Sequence, residues 1–333
     1  MSQCARTSRR RVLRATGGVA AAFAAAAAGN ALAGCGAPAQ APVGTATRPL
    51  EMAFVPSADS QRVLTSGKPL GDLLAKETGY TVNVSVPTSY VAVIEAMGAS
   101  MVDVGWLAPF AYSLAHNKYG VEVILSSIRN GSKTYRSQFI VHADSGLRTI
   151  DDLRSKRFAM PDPASASGFL YPASTIKEKF NLDVDKFFSQ VLYAGGHDKV
   201  VIAVYNKQVD GGATFGNSTP TGPDTDARTL VTSTLPDVMD KVVRIAETDP
   251  IPNDTVSVRK GLPKEVVDKV RSALFRIAET DEGKKLLRDL YRIDGLGPAA
   301  DSDYAPLRRK AELLKINLEE AIRPAPTATR AAS

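Results

Sequence analysis

Between residues 50 and 250, short apolar runs alternate with amphipathic stretches of helix length, and this alternation limits what the 333-residue chain can fold into. Strands are predicted over 50–56, 81–86, 102–106, 121–127, 137–143, 157–160, 191–194, 212–215 and 241–247. Helices are predicted over 68–78, 90–99, 110–118, from Ser167 to Phe180, and over 197–206, with a largely helical tail from 263 to about 322. Such alternation implies an α/β fold, with parallel sheets and helices packed on both faces. The sequence shows no fixed-period repeat. Gly195-Gly196-His197 lacks the GxGxxG spacing of a dinucleotide loop, and no nucleoside-triphosphate loop is present. A middle region of roughly 275 residues is long enough for one large or two smaller domains.

The ends have a different character. Ser8-Arg9-Arg10-Arg11-Val12-Leu13-Arg14 resembles a twin-arginine export signal, although the three arginines also suit a general secretory n-region. An Ala-rich run follows, then Leu32-Ala33-Gly34-Cys35, which resembles a lipobox. The expectation is a signal peptide over 1–34, cleavage before Cys35, lipidation of Cys35, and a flexible tether over 35–49. The run is short and weakly hydrophobic for an uncleaved membrane span. Residues 321–333 have a similar Ala/Pro/Thr composition and are expected to be disordered.

Processing changes the charge argument. The chain has 41 Lys and Arg against 35 Asp and Glu, a formal charge of +6. The signal holds Arg6, Arg9, Arg10, Arg11 and Arg14 and no acid, so its removal leaves +1. That excludes an argument for nucleic-acid binding from bulk charge. The two cysteines, Cys4 and Cys35, both lie in this N-terminal part, so the body has no disulfide or thiolate chemistry. The three histidines, His116, His142 and His197, do not pair at metal-ligand spacing, and neither a metal nor a cofactor is expected.

Within the body, Pro161-Asp162-Pro163-Ala164-Ser165-Ala166-Ser167-Gly168-Phe169-Leu170-Tyr171-Pro172 leads from a strand into a helix. Two prolines fix the approach, and small hydroxyl residues stand where the helix begins. Such a start is either an ordinary capped helix or an oxyanion site made of free N–H groups, Ser hydroxyls and the positive dipole end.

Further motifs sharpen this. Tyr90-Val91-Ala92-Val93-Ile94-Glu95-Ala96-Met97, Val102-Asp103-Val104-Gly105-Trp106-Leu107-Ala108-Pro109-Phe110-Ala111-Tyr112 and Tyr135-Arg136-Ser137-Gln138-Phe139-Ile140-Val141 come before the proline-bounded segment. Gly195-Gly196-His197-Asp198, Val209-Asp210-Gly211-Gly212-Ala213-Thr214 and Ile251-Pro252-Asn253-Asp254 come after it. In order and spacing, over residues 50–320, these resemble the phosphonate/phosphite-type substrate-binding proteins of ABC importers. The resemblance implies a type 2 periplasmic-binding fold, with two α/β lobes, a hinge and a ligand cleft between the lobes. Carried onto this chain, lobe one is 50–140 plus 250–320 and lobe two is 141–249.

The resemblance also implies a site. Ser165, Ser167 and local N–H groups would hold the phosphorus oxygens, with Ala166 departing from the hydroxyl residue often found there. Tyr90 and Tyr135 would turn their phenols toward the oxyanion; each reads alternatively as a core residue with a wet tip. Trp106 is expected on the cleft wall, at a strand C-terminus where α/β crevices form, or in the core. His197 would donate to an oxygen. Asp198 would meet a ligand amine or share a proton, unless it only caps its helix. Asp210 is expected near the cleft or in a hinge or turn, Arg136 as an exposed hinge arginine or else a clamp on phosphate, and Arg308-Arg309-Lys310 as a solvated helix face.

His197-Asp198 with Ser165 or Ser167 also suggests a hydrolase. There is no GxSxG elbow, however, and no carboxylate placed to orient the histidine, so no catalytic residue is assigned. The expected function is a monomeric, lipid-anchored receptor that captures a phosphonate- or phosphite-like anion for an ABC permease and its ATPase. A receptor that reports to a membrane sensor kinase is the alternative.

Overall fold

A computed structural model describes residues 41–216 and 225–318. The signal segment, Cys35 and residues 321–333 lie outside the described residues. In chain order the elements are β1 (Leu50–Phe54), α1 (Ser60–Thr78), β2 (Val82–Ser85), α2 (Tyr90–Gly98), β3 (Val104–Leu107), α3 (Pro109–Tyr119), β4 (Glu122–Ile128) and β5 (Thr134–His142). Then follow β6 (Arg157–Met160), α4 (Tyr171–Phe180), α5 (Val184–Phe187), β7 (Gln190–Tyr193), α6 (His197–Tyr205) and β8 (Gly211–Gly216). The chain continues with α7 (Val238–Lys241), β9 (Val242–Glu247), β10 (Ile251–Pro252), β11 (Thr255–Val258), α8 (Lys264–Glu279), α9 (Asp281–Tyr291), β12 (Gly295–Gly297) and α10 (Ala305–Leu313).

Two sheets result. The first has the order β12-β4-β11-β3-β1-β2, and the second β10-β5-β8-β6-β7, with β9 also paired to β5. Each carries a parallel centre, β2-β1-β3 in one and β7-β6-β8 in the other. Neither is purely parallel, contrary to the sequence expectation. Strand β11 runs antiparallel to β3 and β4, and β5 runs antiparallel to β8, β9 and β10. The strands that leave one sheet and return from the other cause this, because a connection that changes sheets is free of the right-handed βαβ rule.

The lobe boundary moves for the same reason. All of β5 pairs in the second sheet, so the chain crosses between β4 and β5 rather than at 140, and it returns between β10 and β11 rather than at 249. The two crossings are tied together. Asn253, fully buried, donates through Nδ2 to the Ser127 and Ser132 carbonyls at 3.0 and 2.9 Å, and Ser127 N–H donates to Asp254 O at 2.9 Å.

Helices cover both faces of each sheet. Beneath the first sheet, Phe54, Leu70, Leu74, Leu274 and Leu287 join α1, α8 and α9 in one core. On its other face α2 and α3 form a second core that runs through Tyr135, Leu170 and Tyr171 to Leu307 and Ala311 of α10. Helix α10 therefore packs against α3 of the first lobe and α4 of the second. The Arg308-Arg309-Lys310 stretch is correspondingly more than a solvated face: Lys310 pairs with Glu178 at 2.7 Å, and Arg308 with Asp301 at 2.9 Å.

The expected tether is also shorter, since it packs from residue 41 onward. Val43 is buried in the first core, and Gly44 (φ 90°) lies against the Tyr80 ring where any Cβ would fall within 2.4 Å of it. Gly44 O accepts the Thr81 N–H at 2.8 Å.

Candidate functional site

A cavity of about 240 Å³ lies between the lobes, lined by residues of both sheets and of the crossings. Ligand sites for drug-sized molecules run from roughly 300 Å³ upward, so this one suits a small polyatomic ion with a short substituent.

The second lobe contributes a helix start. Pro161 follows the end of strand β6 at Met160, and Asp162 then folds the loop back: its Oδ1 accepts the Ala164 N–H at 2.8 Å and its carbonyl the Ser165 N–H at 3.0 Å. Ser165 caps the wide π-helical turn Ala166–Leu170, accepting the Gly168 N–H on Oγ at 3.0 Å, and this turn continues directly into α4. The first N–H groups of a helix have no acceptor within it, which here means those of Ala166 and Ser167. Gly168 is required by close approach, because a Cβ there would stand 2.0 Å from the Pro161 ring. Ser165 and Ser167 both line the cavity; Ala166 is fully buried and does not, so only its backbone can serve a ligand.

His197 opens α6 on the same wall. Its N–H donates across the cleft to Ser57 O at 2.9 Å, and its ring meets Phe215 edge-on at 5.0 Å. Burial pushes the imidazole pKa down to about 3, so the ring is neutral at ordinary pH. Its Nδ1 is buried and has no hydrogen-bond partner among the described residues. A buried polar atom without a partner costs about 1–3 kcal/mol. A ligand atom reaching Nδ1 would recover that.

Asp198 turns one carboxylate oxygen to the facing lobe, while its buried Oδ1 has no hydrogen-bond partner among the described residues. It is absent from the cavity lining, and its Oδ2 accepts the Asp59 N–H at 3.1 Å, at the start of α1 in the opposite lobe. The carboxylate thus caps the facing lobe's helix rather than its own. Asp162 does the same at α2, where its Oδ2 accepts the Tyr90 N–H at 3.4 Å. Burial raises the Asp162 pKa against the opposing effect of the Ala164 and Tyr90 N–H donors. With the His197 N–H bond to Ser57, Arg62 makes a fourth tie, donating to Leu230 O at 3.0 Å. The closed cleft is held by carboxylates and carbonyls meeting helix starts across it, an arrangement the helix dipole favours.

The first lobe and the crossings bring aromatic groups. Tyr90 follows its N-cap Ser89 and is almost fully buried; burial, with Asp162 adding, keeps its phenol protonated far above neutrality. The Tyr135 phenol is raised likewise by burial and by Asp254, against the opposing effects of Ser167 and Arg129. Both are therefore neutral donors on the cavity wall. Trp106 lines the cavity as well, but its indole N–H is spent on Met52 Sδ at 3.4 Å and its ring stacks on Phe54 at 5.5 Å. It serves as a wall.

Several lining residues were not read from the sequence: Ser57, Arg62, Arg129, Asp254, Arg288, Tyr291, Arg292 and Asp294. Tyr291 donates to Val55 O at 2.6 Å. Arg129 pairs with Asp254 at 2.5 Å and donates to Tyr291 O at 3.0 Å. The Ile251-Pro252-Asn253-Asp254 motif was a signal for this pair, but nothing local marks Arg129 as its partner. Arg136 and Asp210 stay off the cavity: Arg136 donates to Thr248 O at 2.6 Å, and Asp210 pairs with Arg157 at 2.9 Å. Among the described residues no cluster of His, Cys, Asp and Glu could hold a metal, and no helix is long and apolar enough to cross a membrane.

Two mixed α/β lobes, joined by two crossings over a small cleft, make up a type 2 periplasmic-binding fold. The sequence from 52 to 304 matches the family described as "ABC transporter, phosphonate, periplasmic substrate-binding protein", and the chain belongs to it. Members of this family are substrate-binding proteins of ABC transporters, not enzymes. Among its relatives is the phosphate-import protein PhnD of Mycolicibacterium smegmatis, 26% identical over 286 residues, covering 79% of this chain and 85% of that protein. The phosphonates-binding periplasmic protein of Escherichia coli is 26% identical over 270 residues, covering 79% and 75%. A crystal structure of the binding-protein component of an ABC phosphonate transporter from Pseudomonas aeruginosa superposes with a TM-score of 0.71 at 26% identity, covering 86% of this chain and 91% of that one.

Proposed function

We propose that this protein is an extracytoplasmic receptor that captures a phosphorus oxyanion of the phosphonate or phosphite class in the interlobe cleft and delivers it to an ABC permease and its ATPase. The carrying observation is His197, a neutral, buried imidazole on the cavity wall whose Nδ1 has no partner among the described residues, on the same cavity as a helix start with its first N–H groups unspent within the helix. A neutral imidazole has one donor and one acceptor nitrogen, so it meets either a P–O⁻ oxygen or a P–OH proton. The N–H groups of Ala166 and Ser167, the hydroxyls of Ser165, Ser167, Tyr90 and Tyr135, and the dipole of the helix would supply the other contacts. Asp198 serves closure in this reading, not ligand chemistry.

Ligand shifts the lobes toward closure only by the contacts it makes in the closed state. Those contacts come from both lobes here, and they add to the cross-cleft bonds of His197 N–H, Asp198, Asp162 and Arg62. The permease then distinguishes loaded from empty receptor by shape. A sensor kinase could read the same shape, and loss of uptake on deletion of the gene would separate the two.

Export and a lipid anchor on Cys35 complete the proposal; Cys35→Ser should move the protein from the membrane to the soluble fraction. The ligand claim is tested by calorimetric titration of the ligand-stripped chain from Gly36 onward. The panel is phosphite, hypophosphite, methylphosphonate, 2-aminoethylphosphonate, phosphate and sulfate. One-site binding of a phosphorus compound, with sulfate much weaker, is the expected result. No binding of any phosphorus compound would overturn the claim.

A further inference from the structure

The charges around the cavity narrow the ligand class further, in an inference that rests on the phosphorus-oxyanion reading above. We infer that the site takes an oxyanion whose substituent on phosphorus carries no positive charge, and that it discriminates against amine-bearing phosphonates.

An ammonium brought into a small, partly dry cleft needs a carboxylate that is not already neutralised. Among the described residues, the carboxylates lining the cavity are Asp254 and Asp294. Asp254 is spent on Arg129 at 2.5 Å. That guanidinium is itself fixed by Tyr291 O at 3.0 Å and by Ser127 Oγ at 3.3 Å, so it has little freedom to swing away and expose the carboxylate. Asp294 accepts the Asn130 N–H at 2.5 Å and faces Arg288 at 4.0 Å. Asp162 and Asp198 lie outside the lining and each accepts an N–H from the facing lobe, Asp198 on Oδ2, with its buried Oδ1 left without a partner among the described residues. The remaining lining charges are Arg62 and Arg292, both positive. A ligand ammonium in the cavity would thus meet lining acids that already face arginines, and surplus arginines besides. A methyl group, a hydrogen or a further oxygen on phosphorus meets no such penalty and fits the cavity of about 240 Å³.

The test compares methylphosphonate with 2-aminoethylphosphonate on the ligand-stripped chain by calorimetry. Methylphosphonate or phosphite should bind at least about 100-fold more tightly than the amine, the scale expected when a buried charge lacks its partner. Equal or tighter binding of the amine would overturn this inference and leave the receptor reading standing. Failure of every phosphorus compound would overturn both. Arg129→Met, checked for folding by circular dichroism, uncovers Asp254 and should narrow the ratio about tenfold or more. Arg129→Lys retains the charge and should hold the ratio. An unchanged ratio in folded Arg129→Met would remove Arg129 and Asp254 from the explanation.

Discussion

The two walls of the cleft recognise by different physics. The second-lobe wall, with Ser165, Ser167, His197 and Phe215, carries no formal charge at neutral pH among its described lining residues. All the charged lining residues, Arg62, Arg129, Arg288, Arg292, Asp254 and Asp294, belong to the first lobe or to the crossings. Oriented dipoles act at hydrogen-bond range and are little screened, whereas exposed arginines act over a Debye length and fade with salt. The comparison suggests a division of labour in which one wall sets affinity and the other sets approach and exclusion.

The hardest break comes from the dipole wall. Gly168→Ala puts a Cβ 2.0 Å from the Pro161 ring and must displace the helix start. Affinity should fall by about 100-fold or more, with a stability loss of about 1–3 kcal/mol, visible by titration and thermal melting. Unchanged binding would contradict the placement of the oxyanion.

His197→Ala comes next, with an expected loss of about 10–100-fold, the worth of a hydrogen bond to a charged group. The same residue sets a pH dependence. Its folded pKa, near 3, lies below the ordinary 6.5, so between those values the unfolded chain binds more protons. Stability of the ligand-free protein is therefore complete above pH 6.5 and is lost as pH falls toward 3, by at most about 1.4 kcal/mol per pH unit. His197→Ala should flatten that slope in urea titrations at pH 4 to 7. A slope unaffected by the substitution would show the imidazole is not held neutral.

Tyr90→Phe and Tyr135→Phe each remove one neutral donor and should cost about 3–10-fold in affinity, independent of salt. On the charged wall, Arg292→Gln should leave affinity at high salt almost unchanged and slow association at low salt by a few-fold, measurable by stopped flow through Trp106, the only tryptophan. A large salt-independent loss there would erase the distinction between the walls.

Local chemistry explains which parts were legible in the sequence. The β/α alternation, a helix start among the small hydroxyl residues before Tyr171 and the end of α4 at Phe180 are written in short-range patterns; the structure shows them, with the start at Ala166 behind Ser165 rather than at Ser167. Helix α1 begins at Ser60, two turns before the expected 68, and runs through Gly67 and Pro69, residue types that disfavour a helix interior. Gly67 is small for packing instead, with the Phe54 ring 2.7 Å from where a Cβ would lie. The mixed sheets and the position of the crossings were hidden, since they depend on which sheet β5 and β11 join and not on either strand's own residues. The contact of Asp198 with the facing lobe was hidden for a similar reason. Its partner, Asp59, is 139 residues away, and a carboxylate after a histidine at a helix start looks the same whether it faces a ligand or another lobe. Arg129 and Asp254, 125 residues apart, pair only through the hinge.

The most direct test of the central claim is a crystal structure of the protein with methylphosphonate. The phosphonate oxygens should lie within hydrogen-bond reach of the Ala166 and Ser167 N–H groups and of His197, with Asp198 still on Asp59. Phosphorus seated instead against Arg62 and Arg292, with His197 Nδ1 left without a partner, would contradict it.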